Sequence, residues 1–138
     1  MIFEPAKLII AVIVSIVLFL IVYIKKRQYP RKPDEIKQVI VDHFKRRNWE
    51  YKELNHGMFI VKKNIKKILF YVDSKVNFDI LREILYEAFW NSVKDIRIVS
   101  LEGTGDVFEA IRKINSNIKT HKTKIVFKRL GEFKDVIR

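Results

Sequence analysis

A long apolar run near the N-terminus constrains this chain more than any other feature. From Leu8 to Ile24, seventeen consecutive residues carry no charge, and only Ser15 and Tyr23 have a polar side-chain atom. As a helix, the run would cover about 26 Å, slightly less than the roughly 30 Å hydrocarbon core of a bilayer. Lys7 and Lys25 can extend their ammonium groups outward to close that gap. The run therefore predicts a single transmembrane helix.

Two other interpretations of the run are weaker. A cleaved signal peptide has a basic leader and a small-residue cleavage site, whereas the leader MIFEPAK is nearly neutral and residues 25–27 are all basic. A buried helix of a soluble core has a polar face, which residues 8–24 lack. We therefore expect a membrane anchor over residues 1–27.

The charges that flank the run predict its orientation. One Lys and one Glu precede it, but several basic residues follow it closely, and such residues favour the cytoplasmic side. This predicts a single-pass membrane protein with its N-terminus outside and its C-terminal domain in the cytoplasm. Pro30 and Pro33 make residues 28–33 a short juxtamembrane spacer. The residues expected at the membrane surface are Lys25, Lys26, Arg27, Arg31 and Lys32.

Composition limits what the remaining chain can be. Residues 34–138 suffice for one small soluble domain with a single core. The chain has no Cys, which excludes disulfides, a thiolate nucleophile and Cys-based metal sites. Residues 31–138 carry 24 Lys and Arg against 15 Asp and Glu, a net charge of +9. An anionic partner, either lipid headgroups or nucleic acid, is therefore expected.

The pattern of apolar residues predicts an α/β domain with the order α-β-β-β-α-β-α-β after the transmembrane helix. The third strand is apolar throughout, as in a strand buried on both faces, and should lie in the middle of the sheet. Later strands joined through helices should pair in parallel, which gives a mixed sheet with helices on both faces. The predicted helices are 34–48, 77–89 and 106–117, and the predicted strands are 49–54, 58–61, 68–72, 95–101 and 123–130.

Familiar catalytic and metal motifs are scarce in the sequence. The turn Glu102–Asp106 lies between a strand and a helix, where backbone N–H groups can bind an anion. We interpret it as a tight turn in which Asp106 and Glu109 form a capping box. His43, His56 and His121 are too far apart in sequence for a zinc motif, so no metal site is predicted.

One tripeptide is more informative about function than the motifs above. Asp73-Ser74-Lys75 ends the predicted central strand. An acid-x-Lys at the end of the third strand of an α-β-β-β-α-β unit resembles the restriction-endonuclease-like superfamily, the PD-(D/E)xK nucleases, including Mrr-type and junction-resolvase-like domains. The resemblance covers roughly residues 34–130. It implies that Asp73 would bind a divalent metal and that Lys75 would position the attacking water.

The resemblance is to a degenerate member of that superfamily. Where the family has an aspartate on its second strand, this chain has Gly57-Met58-Phe59-Ile60, without a carboxylate. Mg²⁺ bound by few protein carboxylates relies on further anionic partners. We therefore expect no enzyme activity and no cofactor, with Mg²⁺ required only if the domain is a metal-dependent nuclease after all.

Two classes of function remain open from the sequence. The domain is either a non-catalytic binding or adapter module for nucleic acid or another anionic partner, or a structural subunit of a larger membrane complex or membrane-containing virus particle. A third interpretation is that the basic residues only form a solvated face. The residues predicted to contact an anion are Arg46, Arg47, Lys62, Lys63, Lys66, Lys67 and Lys75.

Overall fold

The computed structural model of the chain describes residues 3–28, 32–55 and 57–137, and the side chains of residues 3, 4 and 24–28 lie outside that description. The chain divides into two compact units, Met1–Pro30 and Arg31–Arg138. Each unit is described by itself below.

The first unit is one helix, α1, over Phe3–Gln28. Within the described residues, this is the helix that is long and apolar enough to cross a membrane, over Pro5–Tyr23. Its large apolar side chains are exposed, which argues against a helix from a soluble core. The Ser15 hydroxyl donates a hydrogen bond of 2.9 Å to the Ala11 carbonyl, so this polar group has its partner within the helix.

The second unit is an α/β domain with a five-stranded mixed sheet, as predicted. Its first helix and three strands are α2 Pro33–Arg46, β1 Glu50–Glu53, β2 Met58–Lys63 and β3 Lys66–Val76. They are followed by α3 Phe78–Trp90, β4 Asp95–Gly103, α4 Gly105–Ser116, α5 Ile118–His121, β5 Lys124–Arg129 and a C-terminal 3₁₀ segment, Leu130–Val136. The predicted order omitted two of these elements, α5 and the 3₁₀ segment. Both are short and have too few residues to show a helical apolar repeat.

The strands lie in the order β1-β2-β3-β4-β5, so β3 is the central strand. The first three strands form an antiparallel meander, and β4 and β5 add in parallel to it. A two-residue turn, Asn64-Ile65, connects β2 and β3, and Lys63 pairs with Lys66 across it. Asn64 adopts a positive φ of 56°, which asparagine tolerates better than most residues.

The two faces of the sheet support two hydrophobic cores. On one face, Ile68, Phe70 and Val72 of β3 pack with α2 and the 3₁₀ segment. On the other face, Leu69 and Tyr71 pack with α3 and α4. Consecutive β3 residues thus enter opposite cores, because side chains alternate along a strand. This burial on both faces explains the continuous apolar run that predicted a central strand.

Helix α2 extends from one end of the sheet to the other. Near its start, Lys37 Nζ lies 2.8 Å from Glu53 Oε1 at the end of β1. At its C-terminus, the Arg47 carbonyl accepts a hydrogen bond of 3.0 Å from Lys63 Nζ beside the β2–β3 turn. We call this second end of the sheet the hairpin end. The end at which the parallel strands β3, β4 and β5 finish is called the carboxyl end.

Candidate functional site

A cleft at the hairpin end collects positive charge from three separate parts of the chain. Its volume is about 770 Å³, and Phe44, Trp49 and Ile68 form part of its apolar lining. We call it the basic cleft and define it by its five cationic residues, Arg47, Lys66, Lys67, Lys94 and Arg97.

Three elements position these cations. Arg47 is the C-cap of α2, and Lys66 and Lys67 are the first two residues of β3. Lys94 and Arg97 flank the first residues of β4. Parallel pairing of Ile68 with Asp95 brings the start of β4 beside the start of β3. The fold therefore places cations about 50 residues apart in sequence around one opening.

Arg97 is the most strongly held of the five cations. Its guanidinium lies 3.1 Å from Asp95 Oδ2, and it also donates to the Val136 carbonyl of the 3₁₀ segment. Asp95 is the carboxylate that lines the basic cleft, and Arg97 already neutralises it. We infer that Arg97 shapes the cleft and that the other four cations supply its net charge.

Lys66 and Lys94 are the cations best placed to take a new anion. Lys67 Nζ donates to the Asn91 carbonyl at 3.1 Å, which uses one of its three protons at the end of α3. Lys66 and Lys94 are exposed, and within the described part of the chain neither ammonium group donates to another residue. A phosphate could therefore bind to them without displacing an internal contact.

His43 lines the same cleft and is held neutral. Burial lowers its pKa, and the positive charges of Arg47 and Arg46 lower it further. Arg47 Nη1 lies 2.7 Å from His43 Nδ1 and 2.8 Å from His43 Nε2, and a guanidinium can only donate, so the imidazole is the acceptor of this contact. The imidazole therefore carries no charge at neutral pH.

The predicted anion-contacting residues divide between the cleft and other surfaces. Arg47, Lys66 and Lys67 line the basic cleft. Arg46 lies beside it, in a shallow depression on α2 that His43 also lines. Lys62 lies instead in a small depression with Tyr51 and Asn91. Lys63 contacts the Arg47 carbonyl, and Lys75 lies near the carboxyl end of β3.

Sequence reasoning missed Lys94 and Arg97, which come some 30 residues after the hairpin. The available signal was the predicted parallel pairing of β3 with β4, because it aligns the first residues of both strands. Among the predicted membrane-surface residues, Lys32 is exposed. Arg31 and the side chains of Lys25, Lys26 and Arg27 lie outside the described residues, as does His56.

The Asp73-x-Lys75 tripeptide lies inside β3 and not at its end, because the strand continues to Val76. Asp73 and Lys75 form no ion pair with each other. Its carboxylate accepts a hydrogen bond of 2.7 Å from the Ser74 backbone N–H, and Lys75 Nζ lies 3.9 Å from Glu102 Oε1 on β4. Lys75 and Glu102 are register partners in the parallel pair, which explains this choice.

Within the carboxylate-free segment 57–60, Gly57 lies beside Asp73. A Cβ at Gly57 would lie 3.9 Å from Asp73 Cβ but only 2.6 Å from the Val72 carbonyl oxygen. The φ of Gly57 is +78°, a conformation that is strained for a residue with a side chain. The backbone itself therefore excludes a carboxylate at this position.

Tyr71 is the other titratable group beside Asp73. Burial raises the pKa of Tyr71, and the nearby negative charge of Asp73 raises it further. Its hydroxyl donates to the Lys75 carbonyl at 3.1 Å, which links Tyr71 to the C-terminal end of the same strand. The phenol is therefore neutral and structural.

The turn before α4 differs from the predicted capping box. Thr104 is the N-cap, and α4 begins at Gly105, one residue earlier than predicted. Asp106 accepts the Val107 N–H at 2.9 Å, and Glu109 pairs with Lys113. Asp106 thus satisfies a donor of the first turn itself, without a reciprocal bond from Glu109.

Comparison with protein-family models, with curated protein sequences and with solved structures gives no match. Within the described residues, no group of three or more His, Cys, Asp or Glu side chains is arranged to hold a metal ion.

Proposed function

We propose that this protein is a single-pass membrane-anchored, non-catalytic module whose α/β domain binds nucleic acid at the basic cleft. The observation that carries the proposal is the convergence of Arg47, Lys66, Lys67 and Lys94 on one opening whose carboxylate, Asp95, is already neutralised. Clustered Lys and Arg side chains that bind phosphates release counterions, and this release supplies most sequence-independent affinity for nucleic acid.

The arrangement of these cations favours a binding site over a solvated basic face. A charged face that only keeps a domain soluble needs no concave shape and no apolar lining. Here Lys66 begins β3 and Lys94 directly precedes β4, and neither has an internal partner in the described structure. The buried side chains of Phe44 and Ile68 line the same opening. Cations left unpaired beside one another raise the local positive potential, which an anion relieves.

The cleft lies at the far end of α2 from the point where the chain enters the domain. The chain enters the domain at the start of α2, and Arg47 follows the last residue of that helix. A helix of 14 residues is about 21 Å long, so the cleft lies about that distance from the first residue of the domain.

The experiment uses the full chain in zwitterionic nanodiscs and measures binding of labelled DNA and RNA oligonucleotides, both single-stranded and duplex, between about 50 and 200 mM salt. We expect affinity to fall steeply with salt. Lys66→Gln with Lys94→Gln should weaken binding and reduce the slope of log K against log salt by about two units, one for each lost phosphate contact. Lys75→Gln with Lys113→Gln removes the same charge away from the cleft and is the matched control.

Equal effects of the two double variants would show that only net charge matters and would refute the cleft. Binding that does not respond to salt, or no binding, would refute the nucleic-acid function and favour a structural subunit of a membrane assembly.

We propose the orientation with the N-terminus outside and the domain in the cytoplasm. It is supported by the basic residues that follow the apolar run, of which Lys32 is described and exposed. Protease added to intact cells should leave an epitope fused after Arg138 uncut. Loss of that epitope would show the opposite orientation.

A further inference from the structure

Three aromatic side chains are exposed together at the C-terminal half of α3. Tyr86, Phe89 and Trp90 are 60%, 79% and 66% exposed. The Trp90 ring centroid lies 6.0 Å from that of Tyr86 and 6.2 Å from that of Phe89. Residues three and four apart on a helix share one face, so these rings form one patch. Exposed aromatic clusters of this kind mark binding surfaces.

The patch is continuous with the basic cleft. Phe89 lines a depression of about 360 Å³ together with Ser92 and Lys94. Ser92 and Lys94 also line the basic cleft. A ligand could therefore extend from the cations of the cleft to the aromatic rings without leaving the surface.

Acidic residues limit the patch on its other side. Tyr86 borders a shallow depression that Asp79, Arg82 and Glu83 also line. Arg82 Nη1 lies 3.8 Å from Asp79 Oδ1, so Glu83 supplies the negative charge of this depression. A polyanion is repelled by Glu83 and attracted by Lys94, so its path over the patch should end at Phe89 and Trp90. Tyr86 then packs against the edge of the Trp90 ring without contacting the ligand.

We propose that the ligand of the basic cleft is a single-stranded nucleic acid, with phosphates on Lys66 and Lys94 and unpaired bases stacked on Phe89 and Trp90. This inference rests on the function proposed above and specifies its substrate class. Grooves that bind single strands combine a basic track with aromatic side chains, because every unpaired base offers a flat face for stacking. In a duplex those faces are covered by neighbouring bases.

The positive charge of Lys94 beside the rings disfavours a second copy of this chain as the occupant of the patch. A second copy of this chain would bring its own basic cleft toward Lys94, and like charges would oppose that contact. A protein partner remains an outcome of the test, since exposed Phe and Trp also suit protein interfaces.

The test compares three probes on the full chain in zwitterionic nanodiscs: an oligothymidylate, an abasic phosphodiester of the same length, and a duplex. Uridylate oligonucleotides in parallel distinguish RNA from DNA. Phe89→Ala with Trp90→Ala is the key variant, and Tyr86→Ala is the matched control on the same helix. All three rings are exposed, so both variants should fold.

We expect the oligothymidylate to bind about tenfold or more tightly than the abasic probe, and Phe89→Ala with Trp90→Ala to remove that difference. The salt slope should stay unchanged, because no phosphate contact is lost. Tyr86→Ala should bind as the wild type does. Titration with oligothymidylate should also quench Trp90 fluorescence in a Trp49→Phe background, since Trp49 lines the cleft as well.

Equal binding of the thymidylate and abasic probes, or no effect of the alanine double variant, would overturn the inference. Salt-dependent duplex binding would in that case leave the proposed function intact. If no probe binds, the proposed function itself fails. If the double variant changes only the sedimentation of the protein, the patch is a protein interface and the single-strand inference is wrong.

Discussion

At the scale of single residues, Gly57 holds the loop between β1 and β2 against the central strand. Its carbonyl accepts the Val72 N–H at 3.1 Å, which closes the loop between β1 and β2 onto the central strand. Its φ is positive, and a Cβ added to it would lie only 2.6 Å from the Val72 carbonyl oxygen, which leaves no room for a side chain. The same close approach keeps a second carboxylate away from Asp73.

Gly57→Ala should lower the free energy of unfolding by about 1–2 kcal/mol or more, because the left-handed conformation alone costs that much for an L-residue. Urea titration of the full chain in detergent, followed by near-UV circular dichroism, measures the change. Gly105→Ala is the control, since a Cβ at Gly105 meets no atom within 4 Å. A variant of Gly57 as stable as the control would show that the loop can adopt another conformation.

The restriction-endonuclease resemblance leads to a second prediction at this scale. Asp73→Ala should leave nucleic-acid binding nearly intact, because Asp73 lies toward the carboxyl end of β3 and the basic cleft lies at the hairpin end. Wild-type protein incubated with DNA and Mg²⁺ or Mn²⁺ should produce no cleavage on a gel. Metal-dependent cleavage that is lost in Asp73→Ala or Lys75→Ala would contradict this prediction and show that the domain is an active nuclease.

His43 gives the cleft a pH dependence. Burial and then the charges of Arg47 and Arg46 lower its pKa, so it gains a proton only below its ordinary value of about 6.5. That proton adds positive charge beside the cleft, and affinity for a polyanion should rise by about two- to fivefold as the pH falls through the lowered pKa. His43→Gln should abolish the rise. An identical pH profile in the variant would assign it to another group.

The same shift has the opposite effect on stability. The unfolded chain binds the His43 proton at a higher pH than the folded chain does. The stabilisation from a neutral His43 is therefore complete above the unfolded pKa and is lost as the pH falls through the folded one. Acidic conditions should thus strengthen binding while weakening the fold slightly.

At the scale of secondary-structure elements, the packing of α2 on the sheet supports the cleft. Ile36 and Ile40 are fully buried against the face that carries Phe70. The contact between Lys37 and Glu53 fixes the start of the helix. Burial lowers the pKa of Lys37, but the hydrogen bond to Glu53 and the electrostatic interactions with Tyr51 and Glu53 together outweigh burial, so the pKa is raised.

Ile40→Ala should destabilise the domain by about 2–5 kcal/mol, because a fully buried side chain is lost and a cavity remains. Val39→Ala on the same helix is the control and should cost about 0.5 kcal/mol or less, since Val39 is 39% exposed. Denaturant unfolding of both variants checks the difference. Equal losses would mean that α2 does not pack as described.

The elements were largely predictable because their patterns are strong. The continuous apolar run of β3 indicated a central strand, and the repeat of Leu81, Ile84 and Ala88 indicated the buried face of α3. The lengths of β3 and β4 were underestimated, since both strands continue beyond the apolar core into polar residues such as Ser74 and Glu102. Ladder hydrogen bonds between the parallel strands hold these polar ends, and no apolar pattern signals them.

At the scale of the whole molecule, a long apolar helix and a basic α/β domain share one chain. The net charge of the domain was readable from composition, and the clustered lysines of the β2–β3 hairpin indicated the end of the sheet at which the basic cleft lies. The sequence could not show that Lys62 and Lys66 lie near different depressions, because that depends on the phase of side-chain alternation. The sequence also could not place Lys94 at the cleft, because that requires knowing that β4 lies beside β3.

The aromatic patch shows the same limit. In sequence, Phe89 continues the apolar repeat of Leu81, Leu85 and Ala88, which predicts that it lies on the buried side of α3. In the structure it is 79% exposed, because Leu85 and Ala88 complete the contact of the helix with the sheet. The apolar pattern gives the helical period, but it locates the edge of the buried face only to within one residue.

The most direct test of the account is hydrogen exchange of the full chain in zwitterionic nanodiscs, with and without a saturating oligonucleotide. Amides of the β2–β3 turn and of the loop from 91 to 94 border the basic cleft, and their exchange should slow on binding. Amides of the turn 102–105 at the carboxyl end should be unaffected. Protection at that turn with none at the hairpin would contradict the assignment of the basic cleft as the binding site.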